Sequence, residues 1–326
     1  MRTTLTTVIS RSCAALLAVV LLAACGGKKE PKAPGIAKIA CDESFEYIME
    51  QEVNVYEYIY PKEDVIAIYM PENDAVDSIM AMGSVKGAVI TRPLTDQEVN
   101  YLRSNKKVVH QQKIAVDALA LIVNPANPVE ILSRKDIAEI LSGEVTRWDQ
   151  VEPCKLGDID VIFDHSGSST VKYMRDSIMN GKPFGPNVSA VKSNPEVFKA
   201  VAANKNAVGV IGVSWVASDL SGRQKSVEEL AGAVEKSDTT SMDFNSDVKV
   251  LKIRGNNEVT AYKPYQAYIF DGSYPLYRSV YMVSTAPGGT VTHRFYSFVT
   301  GFQGQKLIQM TGILPATVRP RMVEVQ

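Results

Sequence analysis

The chain has 326 residues, 45% of them hydrophobic, and a formal net charge of −1. A near-neutral balance with no basic excess argues against a nucleic-acid partner, and the apolar fraction is enough to build a core. Roughly 290 residues follow an amino-terminal export segment and its tether, which is near the size limit of one core, so two lobes are expected.

The first residues carry Arg2 and Arg11 and then an apolar run from Cys13 to Ala24, the charge-then-apolar order of an export signal. The run is too short to serve comfortably as a permanent membrane span. It ends in Leu22-Ala23-Ala24-Cys25-Gly26. This resembles the box at which a lipoprotein signal is cut and the next cysteine acylated. Residues 1–24 are therefore read as a signal peptide, Cys25 as the lipidation site, and the polar, Pro-rich stretch 25–35 as an extended tether. The expected location is the periplasm or cell envelope, with a membrane anchor through Cys25. Losing Arg2 and Arg11 with the signal leaves a net charge near −3. No later segment approaches 18 uninterrupted apolar residues.

Beyond the tether, strand and helix patterns alternate, which predicts a mainly parallel α/β architecture. A short strand at Ile36–Ala40 leads through Cys41 to Ser44 into a helix with Phe45, Ile48 and Met49 on one face. Strands are predicted at Val65–Tyr69 and Gly87–Thr91, with a helix between them around Ala75–Met82. Thr95 and Glu98 form a capping box for a helix to about Asn105. Lys113–Asn124 is long and almost wholly apolar, as for a buried strand. Ser133 caps a helix that Gly143 ends. Asp160–Phe163 is strand, and Ser166–Thr170 leads into a helix through Ile178. Asn194-Pro195 reads as an N-cap followed by proline, and Val208–Ile211 as strand. Ser218–Thr240 turns polar and reads as a surface insertion. Pro275–Val283 alternates as a strand, and helices close the chain at about Val291–Thr300 and Gly304–Met310.

Of the four cysteines, only Cys41 and Cys154 remain after processing and lipidation. His110, His165 and His293 are isolated, so neither a metal nor a cofactor is expected. The chemistry concentrates where strands give way to helices. Asp164-His165-Ser166-Gly167-Ser168-Ser169-Thr170 combines a carboxylate, hydroxyls and a glycine, a composition suited both to an oxyanion cup and to a plain helix cap. It lacks the lysine of a P-loop and the second glycine of a hydrolase elbow, and no nucleophile-base pair is legible, so no enzymatic activity is expected. Thr91 and Arg92 end another strand, where an arginine offers planar paired donors to a tetrahedral anion or simply forms a surface ion pair. Ser44-Phe45 supplies a third such junction.

These segments resemble the phosphate-binding proteins of bacterial phosphate ABC importers. The resemblance runs from about Ile36 to Pro315. It rests on Ile114–Asn124 with Asn127-Pro128, Ile137 to Trp148, Asp164 to Ser168, Gly209–Gly212, Tyr274–Leu276, and Phe298 with Gly304-Gln305, Gly312 and Pro315. It implies a type II periplasmic-binding-protein fold, two lobes with mainly parallel sheets flanked by helices and joined by two crossover strands at about Ile114–Asn124 and Leu276–Val283. Lobe 1 would comprise 36–115 and 283–326, and lobe 2 would comprise 116–282. The family's first phosphate loop falls on Ser44 and Phe45, and its third on Asp164, Ser166, Gly167 and Ser168, with Ser169 adjoining. Its second-loop acid falls on Thr91, and its arginine two before the third-loop aspartate falls on Ile162. The cation is therefore expected to have moved to Arg92. Asp42 and Glu43 beside the first loop would repel an anion, so either they point away from it or the ligand is an unusual one. A bridge between Cys41 and Cys154 would restrain lobe opening, so both are expected as free thiols. The resemblance implies a monomer that binds inorganic phosphate and delivers it to a membrane permease. The alternative is an anion- or partner-sensing receptor of the same fold.

Overall fold

The computed structural model describes residues 35–217, 226–234, 244–255 and 258–317. The signal segment, Cys25 and the tether up to residue 34 lie outside these residues. Gly35, read above as tether, already opens the first strand.

In chain order the strands are β1 (Gly35–Asp42), β2 (Glu63–Met70), β3 (Gly87–Ile90), β4 (His110–Val123), β5 (Ile131–Ser133), β6 (Asp160–Phe163), β7 (Val188–Ala190), β8 (Ala207–Gly212), β9 (Lys249–Val250), β10 (Lys252–Arg254), β11 (Tyr277–Ser284) and β12 (Leu314–Pro315). The helices are α1 (Glu46–Ile59), α2 (Glu72–Met80), α3 (Asp96–Ser104), α4 (Arg134–Ser142), α5 (Ser169–Tyr173), α6 (Asn194–Ala203), α7 (Val213–Val216), α8 (Val227–Val234), α9 (Gln266–Phe270), α10 (Val291–Thr300) and α11 (Phe302–Met310).

The main sheet runs β2-β1-β3-β11-β4-β8-β6-β7. Parallel pairing joins β1 to β3 at one side, and β6 to both β7 and β8 at the other. Between them β11 is antiparallel to β3 and β4, and β4 is antiparallel to β8. The length of β4 follows from this position. Residues 110–118 pair with β11, and residues 119–123 pair with β8. A strand covered on both faces must be apolar without alternation, and from Ala118 onward β4 is continuously buried.

Local signals act as the sequence predicts. Thr95 and Glu98 cap α3 reciprocally, Ser133 and Asp136 do the same for α4, and Gly143 ends α4 at φ 80° in the left-handed region. At α6 the boundary differs by one position. Ser193 holds the cap and Asn194 is the first helical residue, because proline fits anywhere in a first turn whose amides lack helical partners. Gly209 on β8 lets α6 approach closely, since a Cβ there would sit 2.6 Å from Val197 Cγ1. The stretch read as a polar insertion contains α8, which packs against α1 and α11 and buries Leu230. Residues 218–225 and 235–240 of that stretch lie outside the described residues. Cys41 and Cys154 are both free thiols, and burial pushes the Cys41 thiol up.

Candidate functional site

The carboxyl ends of β1, β3 and β6 each feed a helix, and ligand crevices of open α/β folds form at such ends. Strand β6 runs opposite to β1 and β3, so its loop approaches theirs from the other half of the sheet. In the first loop the chain leaves β1 at Asp42 and makes a 3-10 turn over Glu43–Phe45 before α1 begins. The Asp42 carboxylate caps this turn, with Oδ1 accepting from the Ser44 amide at 3.0 Å. Of the two alternatives for this acidic pair, pointing away fails for Asp42, which turns inward and is only 1% exposed, while Glu43 lines an adjoining cleft. The reason is local: the short turn leaves an orphan amide that the carboxylate satisfies.

In the third loop Ser168 caps α5, accepting from the Val171 amide at 3.2 Å and donating to Asp164 Oδ1 at 2.7 Å. Asp164, Ser168, Ser169 and Thr170 are buried. Ser166 and Gly167 remain exposed, and the Gly167 amide donates to His165 Nδ1 at 3.1 Å. The helix expected to run through Ile178 is α for five residues and then a π turn over Met174–Ile178.

The first and third loops meet. Ser169 Oγ donates to Asp42 Oδ1 at 2.8 Å and accepts from Arg278 Nη1 at 2.7 Å. Ser44 Oγ lies 3.1 Å from Ser169 Oγ and 3.5 Å from Thr170 Oγ1. A hydroxyl has one proton, and that of Ser169 is directed at Asp42, so Ser44 is the donor to Ser169. Trp215 Nε1, on α7, donates to the Ser44 carbonyl at 3.1 Å. The Arg278 guanidinium lies 5.1 Å over the Phe45 ring, within cation–π range.

Arg278 is the cation of this cluster. It stands on β11 directly opposite Asp117 of β4, and its Nε and Nη2 reach Asp117 Oδ2 at 3.1 and 3.0 Å. Nη1 turns the other way, to Ser169. Arg92, the expected cation, instead holds Glu98 through two 2.8 Å contacts beside its own helix. Thr91 donates both its amide, at 2.7 Å, and its hydroxyl to Glu72 Oε2. The second loop is thus committed to structural partners, because the capping carboxylate of α3 lies within reach of Arg92.

Three buried carboxylates surround one arginine. Burial pushes the carboxyls of Asp42, Asp117 and Asp164 up, and the Arg278 charge opposes this in each case. Hydrogen bonds from Ser169 and Ser44 also oppose it at Asp42, and one from Ser168 does so at Asp164. Asp42 Oδ2 has no hydrogen-bond partner among the described residues. Asp164 also forms part of the wall of a cleft of about 430 Å³ bounded by Glu43, Glu46, Tyr69, His165, Lys192 and Asn194. Such an assembly of hydroxyls, an arginine and carboxyls displaced from their ordinary values suits a protonated oxyanion, which both donates and accepts. Among the described residues no group of three His, Cys, Asp or Glu side chains is arranged to hold a metal.

Sequence reasoning missed Arg278, Asp117, Trp215 and the inward turn of Asp42. A signal for the first two existed. Each is a lone charge in a segment that reads as buried strand, and opposite charges in such places must find one another.

Comparison with known proteins bears on these observations. A family model for a PBP superfamily domain matches residues 28–302. A phosphate-binding protein PstS of Borreliella burgdorferi is 28% identical over 143 residues, 41% of this chain and 48% of that protein. The matched stretches span between 41% and 59% of the curated relatives' lengths. Among solved structures, a phosphate ABC transporter substrate-binding protein from Clostridium perfringens with bound phosphate aligns at TM-score 0.67 and 19% identity, covering 86% of this chain and all of that one. An ABC-type phosphate transport receptor from Vibrio cholerae aligns at 0.61 and 22%, covering 86% and 99%. The shared fold is the two-lobed type II arrangement, in which β4 and β11 lie at the centre of the sheet. With the family model matching most of its length, the chain belongs to the PBP superfamily.

Proposed function

We propose that this protein binds inorganic phosphate outside the cytoplasm and hands it to an ABC importer. The observation that supports this most is the meeting of Ser44, Ser168, Ser169, Arg278 and Asp164 at one crevice. On binding, the hydroxyl protons of Ser44, Ser168 and Ser169 turn from Ser169, Asp164 and Asp42 to phosphate oxygens, joined by the Arg278 N–H groups that Asp117 does not engage. Asp164 accepts the proton that phosphate keeps and sulfate lacks. A carboxylate facing sulfate stays unpaired, which costs on the order of 2–5 kcal/mol and rejects sulfate a hundredfold or more. The phosphate-binding and phosphate-transport proteins that the chain resembles agree with this ligand.

On this reading the lobes divide at about 36–115 with 283–326 and at 116–282, and they close over the anion by bending at β4 and β11. The closed face docks on the permease, Cys25 carries the lipid, and a monomer works by capture and release without turnover. Phe45 supports Arg278 from below, whereas Thr91, Arg92, Ser166 and Gly167 contribute little to affinity. A second reading, a receptor uncoupled from transport, draws on Asp42, whose carboxylate already satisfies the Ser44 amide and the Ser169 hydroxyl.

Calorimetric titration of the protein, stripped of bound anion, with phosphate and with sulfate tests the proposal. Micromolar or tighter phosphate binding with no sulfate heat is expected, and Asp164→Ala is expected to lose the phosphate binding. No heat with phosphate would overturn the carrier reading and leave the receptor.

A further inference from the structure

The carboxylates at this site outnumber what one arginine neutralises. Arg278 is already paired through two nitrogens with Asp117, so that pair contributes no net charge to the crevice. Asp42 and Asp164 remain, both 1% exposed. Asp164 Oδ1 is met by the Ser168 hydroxyl. Asp42 Oδ1 is doubly met, by the Ser44 amide and the Ser169 hydroxyl, and its Oδ2 is buried without a partner among the described residues. A buried carboxylate oxygen left bare is costly, so the oxygen has a use or a proton. A fully deprotonated anion entering between the two carboxylates meets strong repulsion at low dielectric. Each carboxylate facing a phosphate oxygen requires one proton between them.

We propose that Asp42 is a second proton acceptor of the anion site, standing in for the acid that the second loop lacks at Thr91, so that the complex holds two protons and the protein selects the dihydrogen form of phosphate. This rests on the phosphate reading above. Asp42 is flanked on its own segment by Cys41, Glu43 and Glu46. Facing it are Arg278 of β11 with Asp117 of β4 behind, Asp164 after β6, and the hydroxyls of Ser44 and Ser169. Glu72 and Lys172 lie farther out, 3.8 Å from one another. Arg278 is the single cation in direct contact with the hydroxyl cluster among the described residues, and it does not offset two further carboxylates. Whether the second proton arrives on phosphate or waits on Asp42 sets only where the pH dependence begins. In both cases affinity falls as pH rises, by about tenfold per pH unit at full slope.

The test is phosphate titration of the protein from about pH 6 to about pH 9, each point in two buffers of different ionisation enthalpy, whose difference in heat counts protons taken up. Expected on the alkaline side are a dissociation constant that weakens toward tenfold per unit and uptake approaching one proton per phosphate, and over the same alkaline range a flat profile without uptake for Asp42→Asn. The two-buffer measurement needs no variant, so it stands even if Asp42→Asn misfolds. Phosphate binding that is independent of pH and takes up no proton overturns the inference and leaves the phosphate reading standing. An Asp42→Asn profile with the full wild-type slope places the proton elsewhere and also overturns it. Absence of phosphate binding at every pH overturns both.

Discussion

Two arginine–carboxylate pairs in this molecule look alike on paper and differ in kind. Arg92 meets Glu98 on the surface, with side chains 31% and 20% exposed; Arg278 meets Asp117 in the interior, at 4% and 1%. The first pair is six residues apart and serves the start of α3. Arg92 holds the Glu98 carboxyl down to about 2, so the pair persists over any ordinary pH, yet water screens it and its worth is small. The second joins strands 161 residues apart, and its remaining nitrogen reaches the hydroxyl cluster. Location near a strand end favoured Arg92 as the functional cation. Solvent exclusion is what makes an arginine strong, and that favours Arg278.

The largest expected effect comes from Arg278→Ala. It leaves Asp117 buried without a counter-ion, so a loss of about 3–5 kcal/mol in denaturant unfolding is expected, together with at least a hundredfold weaker phosphate binding by calorimetry. Pairing Arg278→Met with Asp117→Leu separates the two roles. Removing both charges together should recover most of the stability, as apolar replacements of buried pairs do, while binding stays lost. Recovery of binding in the double variant would mean that Arg278 never touched the anion.

Glu52 offers a third case, a buried acid with no cation beside it among the described residues. It lies on α1 against Gly304 of α11, with neither carboxylate oxygen hydrogen-bonded among the described residues, and burial pushes its carboxyl well above the usual range. An acid raised in the folded state binds its proton more tightly there than in the unfolded chain. Stability is therefore greatest below the unfolded value of about 4.3 and declines as pH rises above it. Glu52→Gln should remove that decline and add about 1–3 kcal/mol at pH 8, measured as unfolding free energy at pH 5 and pH 8. An unchanged pH profile would mean that Glu52 is paired in solution. The smallest effect is expected of Arg92→Ala, under about 1 kcal/mol in stability and within a few fold in phosphate affinity. A large loss of affinity there would restore the second loop to the site.

Most elements were legible in the sequence because their signals are local. Thr95 with Glu98, Ser133 with Gly143, and the apolar run of β4 each declare themselves within a dozen residues. Ser44, Asp164 and Ser168 were legible as chemistry at strand-to-helix junctions, and the structure brings them together. Arg278 was not, because its neighbour Asp117 and its target Ser169 become adjacent only through the pairing of β11 with β4. The inward turn of Asp42 was missed for a different reason. Charge repulsion argued that it should face water, but the short turn after β1 offered it an amide and a hydroxyl that outweighed hydration. The division of Ser166 and Gly167 from Ser168 and Ser169 depends on which side of a five-residue stretch faces the sheet, a choice no spacing rule makes.

The bond from Trp215 to the Ser44 carbonyl also equips the protein with an optical gauge. The chain has two tryptophans. Trp148 is fully buried and donates to the Asn206 carbonyl at 2.8 Å, far from the crevice in sequence and in partners, so its emission is a fixed background. Trp215 touches the first loop itself, and any separation of that loop from α7 breaks its bond and wets its indole ring. Capture and release of the ligand should therefore be visible as a blue and a red displacement of one fluorophore, with no label attached and with an internal reference in the same chain.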